Sequence, residues 1–196
     1  MHQELLYTHS AILEIAPGPY PRRIHCSFTV DALPGPDVDV VCDIFSYLSS
    51  LPDSSIYCIH SSHFLEHIQD LELLFNEFSR VLMHQGLMFH TVPHFSNPYF
   101  YSDPTHVRHF GLYSMSYLCK SSLFNRSLPS YSCHESLKLT SVFLGFKCPR
   151  HFYYLFIFRK FYEIFVNSSS LFQELHEFLL TWVFPPSEVS YVIRRL

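Results

Sequence analysis

The sequence has no surplus of basic residues. Its 13 Lys and Arg stand against 17 Asp and Glu, a formal charge of −4 with the 14 histidines counted as neutral. Proteins that hold nucleic acid through its phosphates need a positive field. The composition therefore predicts no nucleic acid partner.

The chain also lacks paired cysteines and long apolar runs. Its six cysteines include no CxxC pair, and most lie in apolar segments, where a thiol behaves as a small hydrophobic side chain. No window reaches the roughly 18 uncharged apolar residues of a spanning helix, and the first residues do not resemble a secretory signal. We therefore expect a cytoplasmic protein with reduced thiols.

The composition is instead rich in apolar and aromatic side chains, at 48% and 17% of 196 residues. Such a chain buries a core and is not disordered. It is long enough for one core and short for two. Because no repeat or linker is visible, we expect a single domain over residues 1–196.

Short apolar runs bounded by Pro, Gly, Ser or Asp predict buried strands in the first half of the chain. They cover residues 11–16, 24–31, 38–44, 56–61 and 87–92. Between the last two, the segment "EHIQDLELLFNEFSRVL" repeats apolar residues at helical spacing. This alternation predicts an α/β fold with a mostly parallel sheet. Only about ten residues remain for the first crossover, which must be abbreviated.

The second half of the chain is less regular. Residues 93–113 form a long loop without a clear period, of the kind that covers a binding site. A helix is predicted over 114–124, a strand over 137–146, a helix broken near "NSSS" over 161–183, and a last strand over 189–193. This half therefore adds two strands and flanking helices to the predicted fold.

Three acids lie at the ends of successive predicted strands, namely Glu14, Asp31 and Asp43. Ligands of open parallel sheets bind beyond the carboxyl ends of strands, where a carboxylate such as Asp31 can accept both hydroxyls of a ribose. After Glu14, the small residues Ala16 and Gly18 would allow backbone amides to approach a ligand closely. The acids therefore predict a binding crevice. The alternative is a rigid turn after Glu14, with each acid merely beginning a turn.

Several segments together resemble the class I S-adenosylmethionine-dependent methyltransferases, in particular their small-molecule branch. They are "LEIAPGPYPRR", "TVDALPGPDVDVVCDI", "LPDSSIYCIHSSHFLEHIQDLELLFNEFSRVLMHQGLMFHTVP" and "DPTHVRHF". The similarity spans residues 12–117, and the tail "FPPSEVSYVIRRL" is similar to the closing strand of that branch. The resemblance implies a Rossmann-like sheet with flanking helices, an antiparallel last strand, and S-adenosylmethionine bound across the ends of the first strands.

By position, the resemblance implies that seven residues bind the cofactor. They are Glu14, Ala16, Gly18, Asp31, Asp43, Ser61 and Ser62. The turn 14–18 would face the methionine part, Asp31 would hold the ribose hydroxyls, and Asp43 would hold the adenine edge. The two serines would line the cofactor near the fourth strand.

Three positions depart from the family pattern. Ala16 stands where glycine is usual, Tyr57 stands where an aspartate is common, and "MHQG" replaces "KPGG" with only Gly86 retained. A methyl group at Ala16 takes up room if the backbone there needs a positive φ. The first motif is therefore degenerate, and the alternative is a member that binds the cofactor poorly or not at all.

Methyl transfer by displacement needs an oriented acceptor more than an acid or a base. A base helps a hydroxyl or nitrogen acceptor, and the loop offers His94, Asp103, His106 and His109. We expect His106 to be the general base and the other three to contact a small-molecule or glycan-like acceptor. Two histidines and a carboxylate could also form an open metal site. No spacing fixes such a geometry, and no metal is predicted.

Two functions from different classes fit these features. The first is S-adenosylmethionine-dependent methyl transfer to a small-molecule or glycan-like acceptor under the loop 93–113. The second is a non-catalytic methyltransferase-like domain that acts as a protein-interaction module. The aromatic run 152–158 is expected in the core or at a sheet edge. The alternative is an apolar patch that contacts a membrane surface or a partner.

Overall fold

A single mixed sheet organises the chain. The structure is a computed structural model that describes residues 11–18, 27–126, 128, 134–147 and 156–196. Over these residues the sheet has eight strands, in the order β3-β2-β1-β4-β5-β8-β7-β6. They are β1 (Ala11–Ile15), β2 (Ser27–Asp31), β3 (Val40–Val41), β4 (Ile56–Ser62), β5 (Leu82–Pro93), β6 (Cys119–Lys120), β7 (His134–Gly145) and β8 (Glu188–Arg195).

The first five strands run parallel to one another, and β8 runs in the opposite direction. It lies between β5 and β7 and pairs antiparallel with both. Strands β1 and β2 pair parallel across a connection of residues 16–26, which is the abbreviated first crossover. The predicted α/β, Rossmann-like, mostly parallel sheet with an antiparallel last strand is therefore confirmed.

Helices flank the sheet. They are α1 (Ile44–Ser50), α2 (Leu71–Val81), α3 (Phe156–Val166) and α4 (Ser170–Leu175), with a π-helical segment at His176–Leu180 and 3-10 turns at Leu65–His67, Pro98–Ser102 and Ser114–Tyr117. None of the described helices combines the length and the apolar character that crossing a membrane requires.

Helix α2 shows how local sequence produces this packing. Asp70 begins it, because its carboxylate accepts the Leu73 backbone N–H at 2.9 Å. Leu74, Phe75 and Phe78 repeat at helical spacing and are fully buried. Burying each of these side chains contributes about 2 kcal/mol, so one face of α2 is firmly held on the sheet.

Two predicted elements differ from the structure. The predicted strand 38–44 is reduced to Val40–Val41, because Asp43 accepts the Ser46 backbone N–H and begins α1. The predicted helix 114–124 is instead a 3-10 turn followed by the short strand β6. Strand β6 pairs with β7. The helix cap at Asp43 shortens the predicted strand, and pairing with β7 replaces the end of the predicted helix. Residues 24–26 of the second predicted strand lie outside the described residues.

Candidate functional site

A crevice of about 680 Å³ opens beyond the carboxyl ends of β1 and β4. One wall is the turn 14–18, which includes the last two residues of β1, and the other wall carries His63, Lys147 and Glu188. This is the edge at which parallel sheets bind ligands. The crevice therefore opens at the sheet edge where Glu14 lies.

Glu14 forms the acidic end of this crevice. Its side chain is buried, with the residue only 3% exposed, and one carboxylate oxygen accepts the Ser27 hydroxyl at 3.2 Å. The other oxygen lies 3.8 Å from Nδ1 of His60. A carboxylate so placed can accept hydrogen bonds from an ammonium group that enters the crevice.

The backbone of the turn 14–18 takes positive φ angles twice. Ala16 has φ +52° and Gly18 has φ +68°, and the Ala16 N–H donates to the Val30 carbonyl at 2.8 Å. A left-handed conformation costs a residue with a Cβ roughly 1–2 kcal/mol. The position that the family usually fills with glycine is therefore one that requires a positive φ, and Ala16 is strained there.

The opposite wall was not identified from the sequence. Glu188, at the start of β8, accepts a hydrogen bond from Lys147 Nζ at 2.5 Å and lies 3.8 Å from Nε2 of His63. Glu188, and then Glu66, raise the pKa of His63 to about 9. His63 therefore carries a positive charge at neutral pH. Its φ of +55° is a further local strain at this site.

Asp31 and Asp43 lie outside the lining of this crevice. Asp31 ends β2, next to β1, and its carboxylate accepts the Leu33 backbone N–H at 2.9 Å. The Asp43 carboxylate accepts the Ser46 N–H at 3.0 Å and caps α1. Of the three predicted acids, only Glu14 lines the crevice, and the other two hold local turns further along the sheet edge.

The two serines at the end of β4 point in different directions. Ser62 is exposed and lines the crevice. Ser61 is buried, and its hydroxyl bonds Nδ1 of His90 at 2.8 Å. Ser61 therefore contributes to the packing of α2 on the sheet, where His90 lies.

His94 anchors the loop 93–113 from the inside. It is fully buried, its Nδ1 accepts the Ser96 N–H at 3.2 Å, and its Nε2 donates to Glu177 at 3.2 Å. The same Glu177 oxygen accepts the Leu112 N–H at 2.8 Å. His94 and Glu177 therefore tie both ends of the loop to the segment after α4.

The other three loop residues lie near one another but not at the crevice. His106 Nε2 is 3.6 Å from Asp103 Oδ2 and 3.9 Å from Glu66 Oε1. The His109 ring is exposed and packs on Phe100, with 4.7 Å between centroids. Glu66, which belongs to the quoted motif "LEH", was not among the predicted site residues.

The strand order, the reversed β8 and the crevice at the carboxyl ends of β1 and β4 define the fold class of the chain. They are features of the Rossmann-like fold of class I S-adenosylmethionine-dependent methyltransferases, and the resemblance stated from the sequence is confirmed. A family model described as a methyltransferase domain matches residues 25–90. A comparison with curated protein sequences gives no match.

Solved structures of methyltransferases share this fold. One is a SAM-dependent methyltransferase from Archaeoglobus fulgidus, 17% identical, with 99% of this chain and 90% of that chain covered and a TM-score of 0.59. Geranyl diphosphate C-methyltransferase from Streptomyces coelicolor A3(2), solved with Mg²⁺, geranyl diphosphate and S-adenosyl-L-homocysteine, is 13% identical, with coverage of 96% and 72% and a TM-score of 0.54.

A third similar structure is phosphoethanolamine N-methyltransferase 2 from Haemonchus contortus in complex with S-adenosyl-L-methionine. It is 14% identical, with 96% of this chain but 49% of that chain covered, and the TM-score is 0.53. At these identities the three structures show the fold that they share with this chain.

Proposed function

We propose that the chain binds S-adenosylmethionine in the crevice at Glu14 and transfers its methyl group to a small-molecule acceptor. The observation that carries the proposal is the left-handed turn 14–18 beside a buried carboxylate, at the carboxyl ends of parallel strands. Two of the similar structures hold S-adenosylmethionine or S-adenosylhomocysteine, which supports the choice of cofactor.

The predicted cofactor contacts follow the sheet edge outward from the crevice. Glu14 would accept hydrogen bonds from the ammonium group, and the Gly18 turn and Ser62 would contact the methionine part. Asp31 would accept the ribose hydroxyls and Asp43 would face the adenine edge. The direct pairing of β1 with β2 supports this order, because Ile15 lies opposite Val30, one residue before Asp31.

Methyl transfer depends mainly on how the protein positions the acceptor relative to the cofactor. The acceptor must lie in line with the departing sulfur, and most of the rate enhancement can come from that alignment. We place the small-molecule or glycan-like acceptor under the loop 93–113, in a single cytoplasmic domain. His94, Asp103 and His109 as acceptor contacts and His106 as general base remain predictions. Asp103, His106 and His109 require an acceptor that extends beyond the crevice lining. Because His94 is fully buried, its contact with an acceptor would also require the loop 93–113 to open.

Calorimetry with S-adenosylhomocysteine tests the cofactor proposal. We expect binding to the wild-type chain and binding a few-fold tighter to Ala16→Gly, because the substitution removes a methyl group from the wall of the crevice. The absence of heat up to millimolar ligand, with both proteins folded, would remove the proposal.

Ser54→Gly is the matched control for that experiment. Ser54 has the same φ of +52° as Ala16, yet it lies before β4, at the opposite end of that strand from the crevice. Both substitutions relieve a left-handed residue, so both act on stability in the same direction. Only Ala16→Gly should change the affinity for S-adenosylhomocysteine.

A second function is favoured by the exposed apolar side chains within residues 157–184, together called the apolar face. Phe161 is 69% exposed, Phe178 is 85% exposed and Trp182 is 71% exposed. Contiguous exposed apolar patches mark sites of contact with a protein partner or a membrane. The face supports a non-catalytic interaction module. It also extends the contact predicted at 152–158, of which residues 156–158 are described.

Sedimentation velocity over a range of concentrations tests the interaction module. We expect concentration-dependent association that Phe178→Gln weakens. Leu33→Gln is the control, because Leu33 is an exposed apolar residue in the loop after β2. A strict monomer that still binds S-adenosylhomocysteine would contradict this second function, and pelleting with lipid vesicles instead would assign the face to a membrane surface.

A further inference from the structure

A buried carboxylate without a hydrogen bond lies behind the crevice. Glu66 sits in the 3-10 turn after β4 and is 0% exposed, and neither of its oxygens has a hydrogen-bond partner among the described residues. The nearest cationic or imidazole groups are His63 Nδ1 at 3.5 Å and His106 Nε2 at 3.9 Å. Both groups face Oε1, so the positive charge of His63 offsets part of the cost of burying this carboxylate. No hydrogen bond or cation among the described residues meets Oε2.

The tautomer of His106 is set by its other nitrogen. Nδ1 lies 2.9 Å from the Phe100 carbonyl, which can only accept, so Nδ1 carries the hydrogen. The neutral ring therefore presents a lone pair on Nε2. That lone pair faces two carboxylate oxygens, from Glu66 at 3.9 Å and from Asp103 at 3.6 Å.

The same reasoning applies to His67. The Thr105 hydroxyl donates its hydrogen to Asp103 at 2.6 Å and lies 2.9 Å from Nδ1 of His67. Because the hydroxyl has one hydrogen, Nδ1 of His67 donates to it and Nε2 is left with a lone pair. Outer hydrogen bonds of this kind orient histidine ligands of metals.

We propose that Glu66, His67 and His106 bind a divalent transition-metal ion. One ligand atom of each lies within 4.8 Å of the others, and metal bonds of about 2.1 Å would draw the atoms slightly together. Two imidazoles and one carboxylate suit Zn²⁺, Fe²⁺ or Co²⁺ rather than Mg²⁺ or Ca²⁺, which prefer oxygen ligands. This donor set combines the turn after β4 with the loop 93–113, whereas the metal site considered from sequence used loop residues alone.

The ion would lie next to the crevice and open to solvent. His67 is exposed, which provides an entry path and leaves coordination positions for water or a substrate group. His63 links the two places, since it lines the crevice and lies 3.5 Å from Glu66. With Nε2 of His106 on a metal, that nitrogen is a ligand and not a general base.

Metal titration of the chelator-treated, untagged chain in the presence of a phosphine reductant tests the site. We expect one Zn²⁺ per chain by calorimetry, and Co²⁺ bound at the same place with visible absorption bands. Glu66→Gln, His67→Ala and His106→Ala should each weaken Zn²⁺ binding at least tenfold. His84→Ala is the matched control, because His84 is exposed on β5, and it should leave the affinity unchanged.

His67→Ala separates a loss of Zn²⁺ affinity from a loss of folding. Its side chain is exposed, so its removal opens no cavity in the core. Circular dichroism and thermal melting establish that each variant is folded. Equal Zn²⁺ affinity in the wild type, Glu66→Gln and His67→Ala would overturn the proposal, as would the absence of Zn²⁺ binding to the wild type. S-adenosylhomocysteine plays no part in this test, so its outcome is independent of the proposed methyl transfer.

Discussion

Lowering the pH from 6.5 to 4 should cost the protein several kcal/mol of folding free energy. His90 is fully buried, with its ring packed against Phe75 and Phe78. Burial, and then the positive charge of His60, lower the pKa of His90 to about 3. Burial also lowers the pKa of His176 to about 4, with His94 adding to the shift and Glu177 opposing it.

The direction of the effect follows from the protons that each state binds. Above pH 6.5 these histidines are neutral in both the folded and the unfolded chain, so they make no contribution to the pH dependence. Below pH 6.5 these histidines become protonated in the unfolded chain. In the folded chain His90 stays neutral until the pH approaches its pKa of about 3. The free energy of unfolding therefore falls by about 1.4 kcal/mol per pH unit for each fully buried neutral histidine.

Urea unfolding at a series of pH values measures this slope. His90→Asn should make the slope between pH 6.5 and 4 shallower, because Asn keeps an acceptor for the Ser61 hydroxyl and does not titrate. His84→Asn, at an exposed histidine, should leave the slope as it is. If His90→Asn gives the wild-type slope, acid unfolding arises from other groups.

Asp31→Asn should weaken the binding of S-adenosylhomocysteine about 10- to 100-fold, because a lost hydrogen bond to a charged group costs about 1.5–3 kcal/mol. The Asn side-chain oxygen can still accept the Leu33 N–H, which the Asp31 carboxylate now accepts at 2.9 Å. The turn is thereby retained while the charge is lost. Calorimetry at constant ionic strength gives the affinity.

Glu135→Gln is the control for this substitution, since Glu135 is an exposed acid on β7, far from β2 in the strand order. It should bind S-adenosylhomocysteine like the wild type. An affinity of Asp31→Asn equal to that of the wild type would mean that Asp31 only holds its own turn, and the ribose assignment would be wrong.

The parts of the fold that rest on local spacing could be predicted from the sequence. Helix α2 follows from its apolar period, and β1 and β4 follow from their bounded apolar runs. The structure leaves no room for a side chain at Gly86, the one glycine kept in "MHQG". A Cβ there would lie 2.8 Å from the Met83 carbonyl oxygen and 2.9 Å from that of Tyr57, so any larger residue would displace backbone.

The parts of the site that rest on long-range pairing could not be predicted. Glu188 reaches His63 and Lys147 because β8 lies antiparallel between β5 and β7. No periodicity in the sequence specifies which strands become neighbours. The buried state of His94 likewise depends on Glu177, a residue on another element. Burial and a distant hydrogen-bond partner distinguish a structural histidine from a functional one. Neither can be predicted from the neighbouring sequence.

The position of β8 also affects how the molecule is made. Strands β5 and β7 precede β8 in the chain, yet in the finished sheet each pairs with β8 on one side. While the nascent chain emerges from the ribosome, both strands therefore present unsatisfied backbone edges until residues 188–195 arrive. Exposed edges of this kind template aggregation. The topology therefore leaves two strand edges open to wrong pairing until residues 188–195 fill the gap between β5 and β7.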